Sequence, residues 1–420
     1  DYERDQWRSP DELDALQWQR LQALVAHCWE HVPFYRRWWG EAGMAGIGDI
    51  RSREDYARLP MLTKPIIRAN AEDMVSPAHR GDLYYKATGG STGEPLRFGY
   101  TRESYERRIA VMFRGYAWSG AHLGQKTVYL WGAPVAAPAG YALFKDRLYH
   151  AAFNRRMLNA FDMDERRMAE YADAIDRFRP ETIVSYVGPI VELAQWIERT
   201  GRRIHRPKRI LGAAEALHPH QRELLQRVFG APAYDTYGCR EFMLIAAECE
   251  HGAGLHLNAD HLLVEFAAGP DATGPSDLIV TDLHNLGMPL MRYVNGDLGT
   301  PGARTCVCGR GLPKLAKVDG RKLDVLRLRS GRVIPGEYLV HQFVTVEGVK
   351  QYQAVQREPD AVLIKLVLES DGDPAAVQDQ LRDALRKVAG DELDVAFEIV
   401  DHIPLTPSGK RRVVVCELPV

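Results

Sequence analysis

The sequence predicts an α/β protein: a large N-terminal domain with parallel sheets and a small β-barrel, followed by a small α+β C-terminal domain. Three patterns predict it. Over residues 127–237, apolar runs of strand length (128–131, 182–186, 209–212 and 233–237) alternate with helix-period segments, clearest in Met168, Tyr171, Ala172, Ile175 and Phe178. Beyond Glu241 the helical period fades into short strands with turns (261–266, 278–283 and 290–294), the pattern of a meander or small barrel. From about residue 325 the chain reads as strands (344–346, 351–356 and 362–368), one helix (375–388) and a further strand (395–399). Domains of 1–322 and 323–420 follow.

At the N-terminus, Leu13, Leu16, Leu21, Leu24, Val25 and Cys28 recur at helical spacing after Ser9, which can cap, and Pro10, which suits a first turn. The aromatic cluster Phe34, Tyr35, Trp38 and Trp39 reads as packing against the main body. Residues 59–64 read as a loop entering a helix near Ile66, and 83–86 as a short strand. That strand delivers Thr88-Gly89-Gly90-Ser91-Thr92-Gly93-Glu94-Pro95, with three glycines and three hydroxyls in its first six residues. Glycines let several N–H groups face one point and hydroxyls add donors, which makes a phosphate loop, although a solvated turn would use the same residues. A Walker A loop is excluded, because Glu94 and Pro95 stand where it needs Lys and Ser or Thr.

Composition removes other classes. The 54 basic and 56 acidic residues nearly cancel, so no nucleic acid or anionic membrane partner is expected. Six cysteines in 420 residues are too few and irregular for a disulfide framework, which points to a reducing cytoplasm. Residues 1–10 lack the apolar stretch of a signal peptide. The longest uncharged run, 128–144, is too short for a membrane span and carries two prolines and two glycines, so it reads as a strand and a loop. Oligomeric state stays open, a homodimer included.

Parallel sheets place ligands at the carboxyl ends of their strands. Two stretches lie there: Gly212-Ala213-Ala214-Glu215 and Tyr237-Gly238-Cys239-Arg240-Glu241. Glu241 can reach a Mg²⁺ on nucleotide phosphates or cap a helix, and Tyr237 can stack on a purine or serve as a strand aromatic. Asp297 follows Asn295-Gly296, so its carboxylate can accept two ribose hydroxyls, while Asn-Gly-Asp also suits a hairpin turn. Gly320-Arg321-Lys322-Leu323-Asp324 lies at the domain boundary, where either a hinge or a surface loop fits. Lys410, in Ser408-Gly409-Lys410, closes the last loop before a strand at 413–416, and can insert an ammonium into a site or remain solvated.

Taken together and in this order, these six stretches resemble the adenylate-forming superfamily of acyl-CoA synthetases, closest to its phenylacetate-CoA ligase branch, over nearly the whole chain. The resemblance implies that Ser91, Thr92 and Gly93 grip the β and γ phosphates of ATP. It implies that Ala214, Glu215, Asp235, Thr236 and Tyr237 line the adenine and the acyl adenylate, and that Glu241 holds Mg²⁺. Asp297 would take the ribose, Arg321 would bond the ribose or phosphate, and Asp324 would be the pivot of a mobile C-terminal domain. Lys410 would bridge the attacking carboxylate and the α phosphate. The hinge departs from the family pattern, with Leu323 where the first of two Asp residues usually stands.

The implied activity is ATP-dependent, AMP-forming ligation of an aryl or arylacetic carboxylic acid, with coenzyme A as acceptor. An amine or a carrier-protein thiol is the alternative acceptor, and a nucleotide-binding regulator with a degenerate site is the rival class. Trp131, Ala133, Pro134 and Tyr141 are candidates for the acid pocket by position and apolarity. Separately, Cys249 and His256 flank a Gly-containing turn, and Cys306-Val307-Cys308 offers two thiolates, a pattern that suits a structural Zn²⁺. His251 is the alternative nitrogen ligand, and free buried thiols are the bland reading.

Overall fold

A computed structural model describes residues 1–88, 96–132, 141–160, 163–268, 274–321, 325–330, 333–335, 339, 346–369, 372–404 and 412–418. The phosphate loop, Ala133, Pro134, Asp324 and Lys410 lie outside them, and of Tyr141 and Arg321 only the backbone is described. By contacts the chain divides into two compact units, Asp1–Asn295 with Gly299–Val318, and Gly296–Leu298 with Asp319–Val420.

The first unit opens with the helix Pro10–His31, where Ser9 accepts from the Glu12 N–H and Glu12 reaches back to Ser9, a complete capping box. Its buried face (Leu13, Leu21, Leu24, Val25 and Cys28) is the apolar stripe read from the sequence. Trp39, Phe34 and Tyr35 pack in the same core. Strands β1 (Tyr84–Ala87) and β2 (Arg97–Tyr100) form an antiparallel pair. The glycine loop joins the two in sequence.

Next come β3 (Thr127–Trp131), β4 (Arg155–Asn159), β5 (Thr182–Tyr186), β6 (Arg209–Ala213) and β7 (Ala233–Cys239). They pair in parallel in the order β7-β6-β5-β3-β4. The helices Glu165–Phe178, Val187–Thr200 and Pro219–Phe229 bury Ile175, Leu193 and Leu225 against this sheet, as crossover connections require. Strand β4 was not anticipated, because Arg155 and Arg156 break its apolar pattern. The uncharged run read as strand and loop leads into a helix, Tyr141–Ala152.

The expected meander or small barrel takes a different form. Strands β8 (Met243–Glu248), β9 (Leu255–Leu257), β10 (Leu262–Phe266), β11 (Ser276–Asp282), β12 (Tyr293–Pro301) and β13 (Lys314–Arg321) extend the parallel strands into one 11-stranded sheet. The cause is the β7–β8 hairpin, which turns the chain back antiparallel onto the last parallel strand. Gly238 is required in it: a Cβ there would lie 1.9 Å from the Met243 carbonyl oxygen.

In the second unit, β14 (Val325–Arg327) pairs with β15 (Val333–Pro335), and β16 (Val349–Glu358), β17 (Ala361–Leu368), β18 (Asp394–Ile399) and β19 (Val414–Cys416) form a sheet of order β18-β17-β16-β19. The helix Pro374–Ala389 packs Val377, Leu381 and Leu385 into the core made with Ile364 and Leu366. Among the described residues no helix is long and apolar enough to cross a membrane.

Candidate active site

The carboxyl ends of β5, β6 and β7 converge on one edge, and each delivers polar groups. At the end of β6 the backbone of Ala214 adopts φ +69°, a left-handed conformation costly for a residue with a Cβ. That bend turns Glu215 toward the helix Val187–Thr200, where its Oε2 accepts the Gly188 N–H at 2.7 Å. A carboxylate there meets the positive end of the helix dipole. Thr236 Oγ1 donates to the Gly212 carbonyl at 2.7 Å and ties β7 to β6.

Asp235, one residue earlier, is buried. Burial pushes its carboxyl up to about 8, with the Glu248 charge adding to the shift and Arg222 opposing it. Glu248 Oε2 also accepts the Asp235 N–H at 2.6 Å, while Arg222 forks onto both Glu248 oxygens at 2.9 Å. The Tyr237 ring lies in the large core, and its hydroxyl accepts from Asn295 Nδ2 at 2.7 Å.

Glu241 stands in the turn after β7. It is buried, and its Oε1 accepts from the Tyr293 hydroxyl at 2.9 Å. One donor holding a buried carboxylate leaves lone pairs for a cation. Asn295-Gly296-Asp297, for which a hairpin turn was one reading, lies inside β12 instead, with Gly296 at φ +86° and Asp297 buried.

Two residues of this edge escaped the sequence reading. Tyr186 ends β5, its ring 4.4 Å from that of Trp131 at the end of β3. Burial raises its hydroxyl, opposed by the nearby Arg240 charge and reinforced by that of Glu215. Arg240 donates from Nη1 to the Ala87 carbonyl at 2.8 Å, joining the β7–β8 turn to the end of β1. Their position at the ends of a parallel strand and of its hairpin was the available signal.

A second cluster gathers Cys249, His256, Cys306 and Cys308, whose ligand atoms lie within 4.8 Å of one another. Cys249 follows β8 and His256 sits on the antiparallel partner β9, opposite Ala247. Cys306 and Cys308 come from the turn between β12 and β13. The Cys249 and Cys306 sulfurs are 3.9 Å apart, and Cys308 Sγ is 3.3 Å from His256 Nε2. A tetrahedron with metal–sulfur bonds of about 2.3 Å has edges of about 3.8 Å, so this set fits Zn²⁺. Burial holds the His256 imidazole down to about 4, and its Nδ1 faces the Leu312 carbonyl at 3.0 Å, which leaves a neutral Nε2 aimed at the thiols. Burial raises the Cys249 thiol to about 12, a cost that a bound cation would relieve. His251 contributes its backbone N–H to Cys249.

Comparisons with known proteins find similar ligases over nearly the whole chain. The chain is 28% identical over 96% of its length to the phenylacetate-coenzyme A ligase of Thermus thermophilus, of which it covers 96%. It is 26% identical to that of Escherichia coli, over 96% of this chain and 95% of the relative. Protein CapK of Staphylococcus aureus is 25% identical over 96% and 89%. Residues 326–417 match the CapK C-terminal domain model. The chain is thus similar over nearly its whole length to phenylacetate-CoA ligases and to CapK. The fold agrees: 2-hydroxyisobutyryl-CoA ligase, solved in the post-adenylation state with R3-HIB-AMP, superposes with a TM-score of 0.78 at 21% identity, over 99% of this chain and 91% of that one. Anthranilate CoA ligase with anthranoyl-AMP gives 0.57 at 15%, over 86% and 74%.

Of the candidate residues, Ala214, Glu215, Asp235, Thr236, Tyr237, Glu241 and Trp131 lie on or directly after the parallel strands β3, β6 and β7, and Asp297 lies on β12. Ser91, Thr92, Gly93 and Lys410 fall outside the described residues.

Proposed function

We propose that the protein is an ATP-dependent, AMP-forming ligase that activates an aryl or arylacetic carboxylic acid as its acyl adenylate and transfers the acyl group to coenzyme A. The observation that carries this reading is the buried carboxylate of Glu241, held by Tyr293 at the carboxyl edge of the parallel strands in a chain that matches the phenylacetate-CoA ligase of Thermus thermophilus over 96% of its length. A carboxylic acid is a poor acyl donor because its leaving group is hydroxide. Attack of the carboxylate oxygen on the α phosphorus forms a new P–O bond, and the anhydride bond breaks with its electron pair leaving on pyrophosphate. AMP then becomes a competent leaving group for the thiol.

Each residue has a part in that sequence. Ser91, Thr92 and Gly93 bind the β and γ phosphates, Tyr237 and Ala214 line the nucleotide, and Asp297 with Arg321 binds the ribose. Lys410 bridges the carboxylate and the α phosphate, offsetting charge as it gathers. Asp324 is the hinge between domains 1–322 and 323–420. Glu241 would hold Mg²⁺, which would supply charge neutralisation on the phosphates. The acid pocket is built around Trp131, with Ala133, Pro134 and Tyr141. Cys249, His256, Cys306 and Cys308 hold a structural Zn²⁺. With all four positions filled, that site has no room for a substrate.

Acid-dependent exchange of labelled pyrophosphate into ATP tests the first half. We expect exchange with an arylacetic or aryl acid and its loss by at least about a hundredfold in Lys410→Ala. Absence of exchange across a broad acid panel overturns the reading. Coenzyme A consumption, set against product formation with amines, decides the acceptor.

A further inference from the structure

The phosphate loop carries no lysine, since Glu94 and Pro95 stand at the positions where a Walker loop places its cation and hydroxyl. A nucleotide triphosphate nevertheless needs several positive groups at its terminal phosphates. The structure places two beside the start of the loop. Lys86 lies on β1, two residues before Thr88. Its Nζ sits 4.9 Å from the ring centre of Tyr105 and 5.3 Å from that of Tyr100, and these two rings stack at 5.5 Å. Although Lys86 is exposed, lost water lowers its pKa; the Tyr105 hydroxyl opposes that shift, and the charges of Arg108 and Arg240 reinforce it.

Of these neighbours, Arg108 is already neutralised, in a buried ion pair with Asp282 at 2.5 Å. Arg240 is not. Its Nη1 is tethered to the carbonyl of Ala87, the residue after Lys86, and the side chain is exposed beside Glu241. Among the described residues neither Lys86 nor Arg240 joins an ion pair. Two cations held near each other with no ion-pair partner among the described residues repel until an anion arrives, so the arrangement suits one. Cation–π contact explains where Lys86 rests, but it does not explain why Arg240 is anchored next to it.

We propose that Lys86 and Arg240 form a cation pair that binds the β and γ phosphates of ATP and stabilises pyrophosphate as it departs. The inference rests on the adenylation reading above. When the α–β anhydride bond breaks, the electron pair goes to the pyrophosphate oxygen, and this pair of positive charges would offset the negative charge that develops there. Both are positioning residues for the leaving group, and neither touches the acid.

Titration calorimetry on the full chain with inorganic pyrophosphate, tripolyphosphate and AMP, in buffer containing Mg²⁺, tests the proposal without requiring turnover. In Lys86→Gln and in Arg240→Gln we expect the affinity for pyrophosphate and tripolyphosphate to fall about tenfold, with AMP affinity changed less than about twofold. KM for ATP should rise while KM for the acid holds, and Lys86→Arg should restore most of the loss. Parallel weakening of AMP and pyrophosphate, or unchanged pyrophosphate binding in properly folded variants, overturns it. Wild-type protein that binds pyrophosphate through this pair but supports no exchange with any acid would sink the ligase reading and leave the pair standing.

Discussion

Glu241 shows how one side chain acquires a role from its surroundings. A carboxylate buried in the turn after β7 would be costly unless partnered, and the Tyr293 hydroxyl supplies one partner at 2.9 Å. Tyr293→Phe removes the group that orients it while keeping the ring. We expect the Mg²⁺ concentration for half-maximal exchange to rise roughly tenfold, with stability changed by less than about 1 kcal/mol, as read by Mg²⁺ titration and thermal melting. Asp235 gives a pH prediction. Its carboxyl is raised to about 8 by burial, so the folded state favours the protonated form more than the unfolded chain does. Its contribution is therefore fully present below the unfolded value of about 4 and is lost as pH rises through about 8. Asp235→Asn should flatten the fall of melting temperature over that window, and an unchanged slope would show that Asp235 does not titrate there. Neither effect was legible in the sequence, where Glu248 and Tyr293 look like ordinary strand residues. Both act by contacts made across the sheet.

At the scale of elements, the β7–β8 hairpin does two things at once. Gly238 permits the close return of the chain, and that return presents Arg240 and Glu241 at the strand-end edge while setting Cys249 at the far end of β8. The cysteine cluster then ties β8, β9 and the turn between β12 and β13 together. Elemental analysis should find about one zinc per chain, falling well below that in Cys308→Ser, with a loss of stability of several kcal/mol because ligation links segments far apart in sequence. A zinc content near zero in the wild type would leave free thiols as the answer. The spacing of these cysteines suggested a metal, and the sheet register chose between the histidines. Antiparallel pairing puts His256 opposite Ala247, two residues from Cys249, and aims its Nε2 at Cys308.

For the whole molecule, the expected division of labour separates two half-reactions. On the proposed reading Lys410 would serve adenylation, where charge gathers on the α phosphate, and would have no part in thiol attack on a finished adenylate. Lys410→Ala should therefore lose pyrophosphate exchange yet form thioester from chemically prepared acyl adenylate and coenzyme A at a rate within about fivefold of wild type, measured by thiol consumption. Loss of both halves together would assign the lysine a different role.

The alternation of apolar strands and helical segments over residues 127–237 was readable because a parallel sheet buried on both faces needs continuous apolar runs, and the order of six motifs was enough to reveal the resemblance to phenylacetate-CoA ligases. Local chemistry likewise marked the helix cap at Ser9. Only the tertiary structure decided that the later strands extend the parallel sheet, that Asn295-Gly296-Asp297 lies within a strand, and that Arg240 comes near both Lys86 and Tyr186. These depend on pairings between residues tens to hundreds of positions apart, and a one-dimensional pattern carries no term for which distant strands become neighbours.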